Sequence, residues 1–161
     1  MTHKPFTTCL WFDTQAEEAA TFYVSIFKNS KMGRIFRYNA AGPGPEGTLA
    51  TIEFELNGQK FMGLNGGPQF TFNPAVSLVV ECKDQAEIDY YWERLLDGGG
   101  QEVACGWLTD KYGLSWQVVP GELLDMMTGP DTEAATRVTA AMLQMKKFDI
   151  AALREAGAGQ G

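Results

Sequence analysis

Two tetrads, Thr14-Gln-Ala-Glu17 and Asp84-Gln-Ala-Glu87, lie 84 − 14 = 70 residues apart. At the same offset Phe22 matches Trp92 and Ile26 matches Leu96. Each tetrad follows a strand-like run, opens a helical pattern and leads on to short strands. A repeated element order of this kind marks two copies of one supersecondary unit. It predicts two modules, 5–68 and 73–120, building one concave α+β structure, with a helical extension over 121–156.

The first module begins at Phe6-Thr-Thr-Cys-Leu-Trp-Phe12, a β-branched and aromatic run that predicts a strand. Thr14 with Glu17 matches a capping box, with Asp13 as the rival cap. Ala19, Phe22, Tyr23 and Ile26 then recur at helical spacing. Met32–Tyr38 reads as a short strand. Gly42-Pro-Gly-Pro45 marks a loop, either a lid or an ordinary hairpin connection. Over Leu49–Leu56, Thr51, Glu53 and Glu55 share one face with Leu49, while Ala50, Ile52, Phe54 and Leu56 share the other. Asn57-Gly58 predicts a tight hairpin into Lys60–Leu64.

The second module repeats this order. A strand over Pro74–Cys82 precedes an Asp84/Glu87 cap and a helix over Gln85–Leu96, burying Ile88, Tyr91, Trp92 and Leu95. Gly98-Gly-Gly100 ends that helix. Short strands follow at Gln101–Val103, Gly106–Thr109 and Leu114–Val119, with Asp110-Lys-Tyr-Gly113 as a turn. Glu122–Met127 gives one helical turn. Thr132–Met145 carries Ala135, Val138, Met142 and Met145 as a stripe, and Ile150–Ala156 closes the chain as a small helix.

Charge excludes one class of function. Thirteen basic and twenty acidic side chains leave a net charge of −7, with no basic run, which argues against nucleic-acid binding. Three cysteines without CxxC spacing argue against a disulfide framework. No apolar run approaches membrane-spanning length and no long apolar signal segment opens the chain, so a cytoplasmic protein is expected.

Several side chains stand out chemically. Glu53 is a mid-strand carboxylate: a proton-transfer base if its face lines a cleft, a solvent-facing charge if not. Glu55 shares that face and the same two readings. Gln117 interrupts an apolar strand, either as a ligand contact or as a satisfied core polar group. Trp11, Trp107 and Trp116 supply aromatic surface for the core or for a small organic ligand. Cys105 has no histidine partner to activate it.

Four segments carry a family resemblance. They are Asn73-Pro-Ala-Val-Ser77, Asp89-Tyr-Tyr-Trp-Glu-Arg-Leu95, the following glycines, and Cys105-Gly-Trp-Leu-Thr-Asp-Lys-Tyr-Gly-Leu-Ser-Trp-Gln-Val-Val-Pro120. With Arg137–Leu153, including Met142-Leu-Gln-Met-Lys-Lys147, they resemble the PhnB-like branch of the glyoxalase/bleomycin-resistance/extradiol-dioxygenase superfamily. Proteins of this branch often carry the name 3-demethylubiquinone-9 3-methyltransferase. The resemblance spans about residues 5–154. It implies paired βαβββ modules forming curved sheets around a cleft, a small organic ligand, and a homodimer. Metal-using members place His, Gln or Glu on the first and last strands of each module. The matching strands here offer Glu81 and Gln117, with Asn65 at a strand end, and no histidine. His3 is the chain's single histidine. No cofactor and no histidine-based metal centre are therefore expected, and a hard divalent cation on carboxylates is the remaining metal option. The expected function is small-molecule binding or enzyme-like chemistry. The competing readings are a ligand-sequestering resistance-type protein and a structural protein with a filled cleft. Glycines 98–100 follow a helix rather than preceding one, so they do not form the loop that a doubly wound methyl-donor site requires.

Overall fold

The structure is a computed structural model that describes residues 5–159. It divides into two compact units, Met1–Phe72 and Asn73–Gly161. His3 lies outside the described residues.

The first unit is a βαβββ module: β1 (Thr8–Phe12), α1 (Ala16–Ile26), β2 (Lys31–Arg37), β3 (Leu49–Leu56) and β4 (Gln59–Asn65). Its sheet has the order β1-β4-β3-β2, with β1 parallel to β4 and the other pairs antiparallel. Period-two alternation along β3 sends Ile52, Phe54 and Leu56 into the core. They meet Ala16, Ala19, Ala20, Tyr23 and Ile26 of α1, all buried. Phe22 of the predicted stripe is only half-buried. Tyr23, Phe54 and Phe61 stack in series, with ring centroids 6.3 and 5.5 Å apart. Gly63 lets α1 approach this closely, because a Cβ there would lie 3.1 Å from that of Ala16. The Gly-Pro loop is a hairpin connection wrapped on its own Tyr38: a Cβ on Gly44 would lie 2.4 Å from that ring. Tyr38 N donates to Thr48 O at 2.8 Å and extends the β2–β3 ladder into the loop.

The start of α1 differs from the sequence expectation. Neither Thr14 nor Asp13 caps it. Gln15 occupies the cap position without a side-chain bond, and the Ala16 N–H donates to Asn65 Oδ1 at 2.8 Å. The cap comes from the end of β4, across the fold.

The second unit holds β5 (Ser77–Cys82), α2 (Gln85–Leu96), β6 (Gln101–Glu102), β7 (Trp107–Thr109) and β8 (Ser115–Pro120), then α3 (Leu123–Thr128), α4 (Thr132–Leu143) and α5 (Ile150–Gly157). Its sheet order is β5-β8-β7-β6, the same topology as in the first unit. Here the predicted capping box forms. Asp84 accepts from Glu87 N at 2.9 Å, and Glu87 reaches back to Lys83 N at 3.0 Å. Ile88, Trp92 and Leu95 are buried, while Tyr91 is half-buried.

The C-terminal helices are part of this unit. Cys105 N and Gly106 N donate to Met145 O and Lys146 O, each at 2.8 Å. Phe148 packs on Gly106 so tightly that a Cβ there would lie 2.4 Å from the ring. The Gln85 side chain donates to Phe148 O and accepts from Ile150 N, both at 2.9 Å. Val138, Phe148, Ile150 and Leu153 are buried as a result. Leu124 and Leu143 remain 70% and 57% exposed. No helix among the described residues is long and apolar enough to cross a membrane.

Candidate functional site

One face of the first sheet packs on α1. The opposite face carries the unit's concentrated charge. Register places Glu53 beside Met62 and Glu55 beside Lys60, and Met62 in turn beside Cys9. On the other side, β2 pairs Lys31 with Glu55 and Met32 with Phe54, then slips by one residue so that Ile35 pairs with Ile52. Gly33 and Arg34 therefore share the position opposite Glu53, which is a β-bulge. Gly33 is required there, since a Cβ would lie 2.8 Å from Glu53 O. The bulge aims Arg34 at Glu53: its Nη2 lies 3.2 Å from Oε1. Lys31 Nζ lies 3.5 Å from Glu55 Oε2. These side chains, with Thr7, Met32, Lys60, Phe61 and Met62, line a cavity of about 270 Å³.

Solvent-exposed ion pairs of this kind contribute little to stability, typically about 0–1 kcal/mol. The Arg34 side chain is 81% exposed, so its guanidinium is held loosely and can turn to another anion. Among the described residues no three His, Cys, Asp or Glu side chains converge. Both carboxylates on this face already have a cation beside them, which opposes a second cation.

The remaining sequence candidates fall elsewhere. Trp11 follows Cys9 on the same sheet face, but its Nε1 donates to Gly67 O at 2.9 Å and its ring meets Phe70 edge-on at 5.0 Å. Asn65 is committed to the fold. It caps α1 through Oδ1, donates from Nδ2 to Leu49 O at 3.3 Å, and its carbonyl accepts from the Tyr38 hydroxyl at 2.6 Å. It borders a separate open depression of about 750 Å³ between the Gly-Pro loop and the start of α1. In the second unit Trp107 and Gln117 are register partners, and Gln117 Nε2 donates to Ser77 Oγ at 2.9 Å. Trp116 is a core residue, 2% exposed, with its Nε1 donating to Asp110 Oδ2 at 2.9 Å. Asp110 also accepts from Tyr112 N and Leu114 N, which fixes the turn that sequence assigned to it. Burial pushes the Cys82 thiol up to about 12, helped by Glu87 and Asp84, so it is protonated at neutral pH and a poor nucleophile.

Of the side chains on this cavity wall, sequence reasoning singled out Glu53 and Glu55 and passed over Lys31, Arg34, Lys60 and Met62. Their signal is the strand register together with the bulge at Gly33, and neither can be read from the β2 segment alone.

Two βαβββ units, each with a mixed four-stranded sheet, define the fold of the glyoxalase/bleomycin-resistance superfamily. Within that superfamily the chain belongs to the PhnB-like family, described as 3-demethylubiquinone-9 3-methyltransferase, whose sequence profile matches residues 4–119. It is 41% identical to a Bacillus cereus protein described as a putative 3-demethylubiquinone-9 3-methyltransferase, PhnB protein. That match covers 73% of this chain and 100% of the other, with a TM-score of 0.66. A Pseudomonas aeruginosa protein shares the fold at 16% identity, with 72% and 96% of the chains covered and a TM-score of 0.59. The fosfomycin resistance protein FosX from Mesorhizobium loti does so at 12% identity, 78% and 97% coverage and a TM-score of 0.55. No curated protein matches the chain. The turn glycines do not build a methyl-donor loop: Gly98 and Gly99, at φ 86° and 125°, follow α2, and Gly66-Gly67 lead into no helix.

Proposed function

We propose that this PhnB-like chain binds a small organic molecule on the open face of the β1-β4-β3-β2 sheet. The observation that carries the reading is the bulge at Gly33, which places Arg34 over Glu53 at the wall of the cavity. Bulges recur beside binding and active sites because they re-aim a side chain out of strand register. A ligand-sequestering role without turnover accounts for the same geometry. Turnover is favoured by one feature, the Glu53 carboxylate on the cavity wall, which becomes available as a proton acceptor when a substrate draws Arg34 away. A thermal-shift screen of small organic molecules, run with and without divalent ions, tests binding. Ligands should raise Tm without added metal, and shifts that appear only with metal would overturn the metal-free reading. For any substrate found, Glu53→Gln should abolish turnover and leave binding in place. Unchanged activity across pH would eliminate Glu53 as the base.

The chain is also proposed to be a cytoplasmic homodimer that needs no resident cofactor. The exposed edge strand β2, with Met32, Ile35 and Phe36 at the surface, and the exposed Leu124 and Leu143 support assembly. Light scattering should give twice 17.7 kDa. A mass that stays at the monomer value as concentration rises would rule the stable dimer out.

A further inference from the structure

We infer that this cavity selects small organic monoanions, with the acid group at Arg34 and an apolar body against Met62. The inference rests on reading this sheet face as the binding site. The charged side chains on the wall are Lys31, Arg34, Lys60, Glu53 and Glu55, giving 3 − 2 = +1 on a chain of net charge −7. A local excess of positive charge on an acidic protein marks the place where an anion meets least repulsion. Glu53 and Glu55 are matched by Arg34 and Lys31. Lys60, the register partner of Glu55, forms no ion pair with a described residue and supplies the excess.

The geometry favours an acid over an amine. Arg34 donates to Glu53 through Nη2, and its exposed guanidinium fork can donate two parallel hydrogen bonds to a carboxylate. An ammonium ligand would have to displace a cation from a carboxylate that already has one. A dianion would overfill the single excess charge and set the surplus beside Glu53 and Glu55. The apolar part of the ligand has a floor: Met62 lies beside Glu53 in the charged row, and Phe54 and Phe61 lie beneath it. Methionine adapts its shape to an irregular ligand at low cost. The bulge supplies the positioning, because a regular β2 would not turn both Lys31 and Arg34 onto this face.

The test is an NMR titration of the full chain with hexanoate, hexylammonium and hexanol. Hexanoate should shift the amides of Met32, Arg34, Glu53 and Met62 saturably. The other two should bind about tenfold more weakly. Arg34→Gln should weaken hexanoate binding by about tenfold, and Glu53→Gln, which removes a competing carboxylate, should strengthen it. Hexylammonium binding as tightly as hexanoate, or hexanoate binding that survives Arg34→Gln unchanged, would overturn anion selection and leave the face standing as a site. No saturable shift from any of the three probes would overturn both.

Discussion

The two units share one tetrad and one topology, yet they start their helices by different means. In the second, Asp84 accepts from Glu87 N and Glu87 from Lys83 N, so Lys83, Asp84 and Glu87 cap α2 locally. In the first, Thr14 and Glu17 sit in the same spacing and form no such box, and Ala16 N is met by Asn65 from the far end of β4. The glutamine between them diverges as well. Gln85 ties the C-terminal segment to α2 through Phe148 and Ile150, whereas the Gln15 side chain makes a long 3.4 Å contact with Thr14 N. A capping motif is an option that the chain takes only when no better acceptor arrives from elsewhere. The difference makes the first helix dependent on its sheet, and the second largely self-sufficient at its start.

Substitutions can break this comparison in order of size. The largest loss should follow Phe148→Ala, which removes a ring 1% exposed that closes the second unit over Gly106. Burial of this kind is worth about 3–5 kcal/mol, and urea unfolding should report it. A loss under about 1 kcal/mol would mean that the extension is not integral to the second unit. Asn65→Ala should come next at about 2 kcal/mol, because it removes the α1 cap and the bond to Leu49 O together. Asp84→Ala should cost about 1 kcal/mol. Equal losses at Asn65 and Asp84 would remove the distinction between a tertiary and a local cap.

The smallest expected effect is pH-dependent. Lys147 lies 2.8 Å from Asp89 and, with Gln85, holds that carboxyl below its usual range. A depressed folded-state value means that the contribution is present above the unfolded-state value and fades as pH falls through the folded one. The stability difference between wild type and Lys147→Gln should therefore be present at neutral pH and vanish in acid. A difference that grows on acidification would reverse the assignment.

The charged face shows how far the sequence could be read. Glu53 and Glu55 were visible because strand alternation puts them on one face whatever the fold. Their partners were not. Arg34 reaches Glu53 only because β2 slips one residue at Gly33, and Lys60 belongs to the group only through hairpin register. Trp116 and Asn65 were legible as candidates by type and position alone. Their commitments, to Asp110 and to Ala16 N, depend on groups that the fold brings together.

The sequence by itself determined the order of elements in the two βαβββ units, the extents of β3 and α2, the Asp84 cap and the two faces of β3. These follow from periodicity and local hydrogen bonding, which act over a few residues. The tertiary structure decided the cap of α1, the bulge that aims Arg34, the burial of Trp116 and the docking of Phe148 on Gly106. Each joins groups distant in the chain or shifts register by one residue, and local propensity carries no information about either.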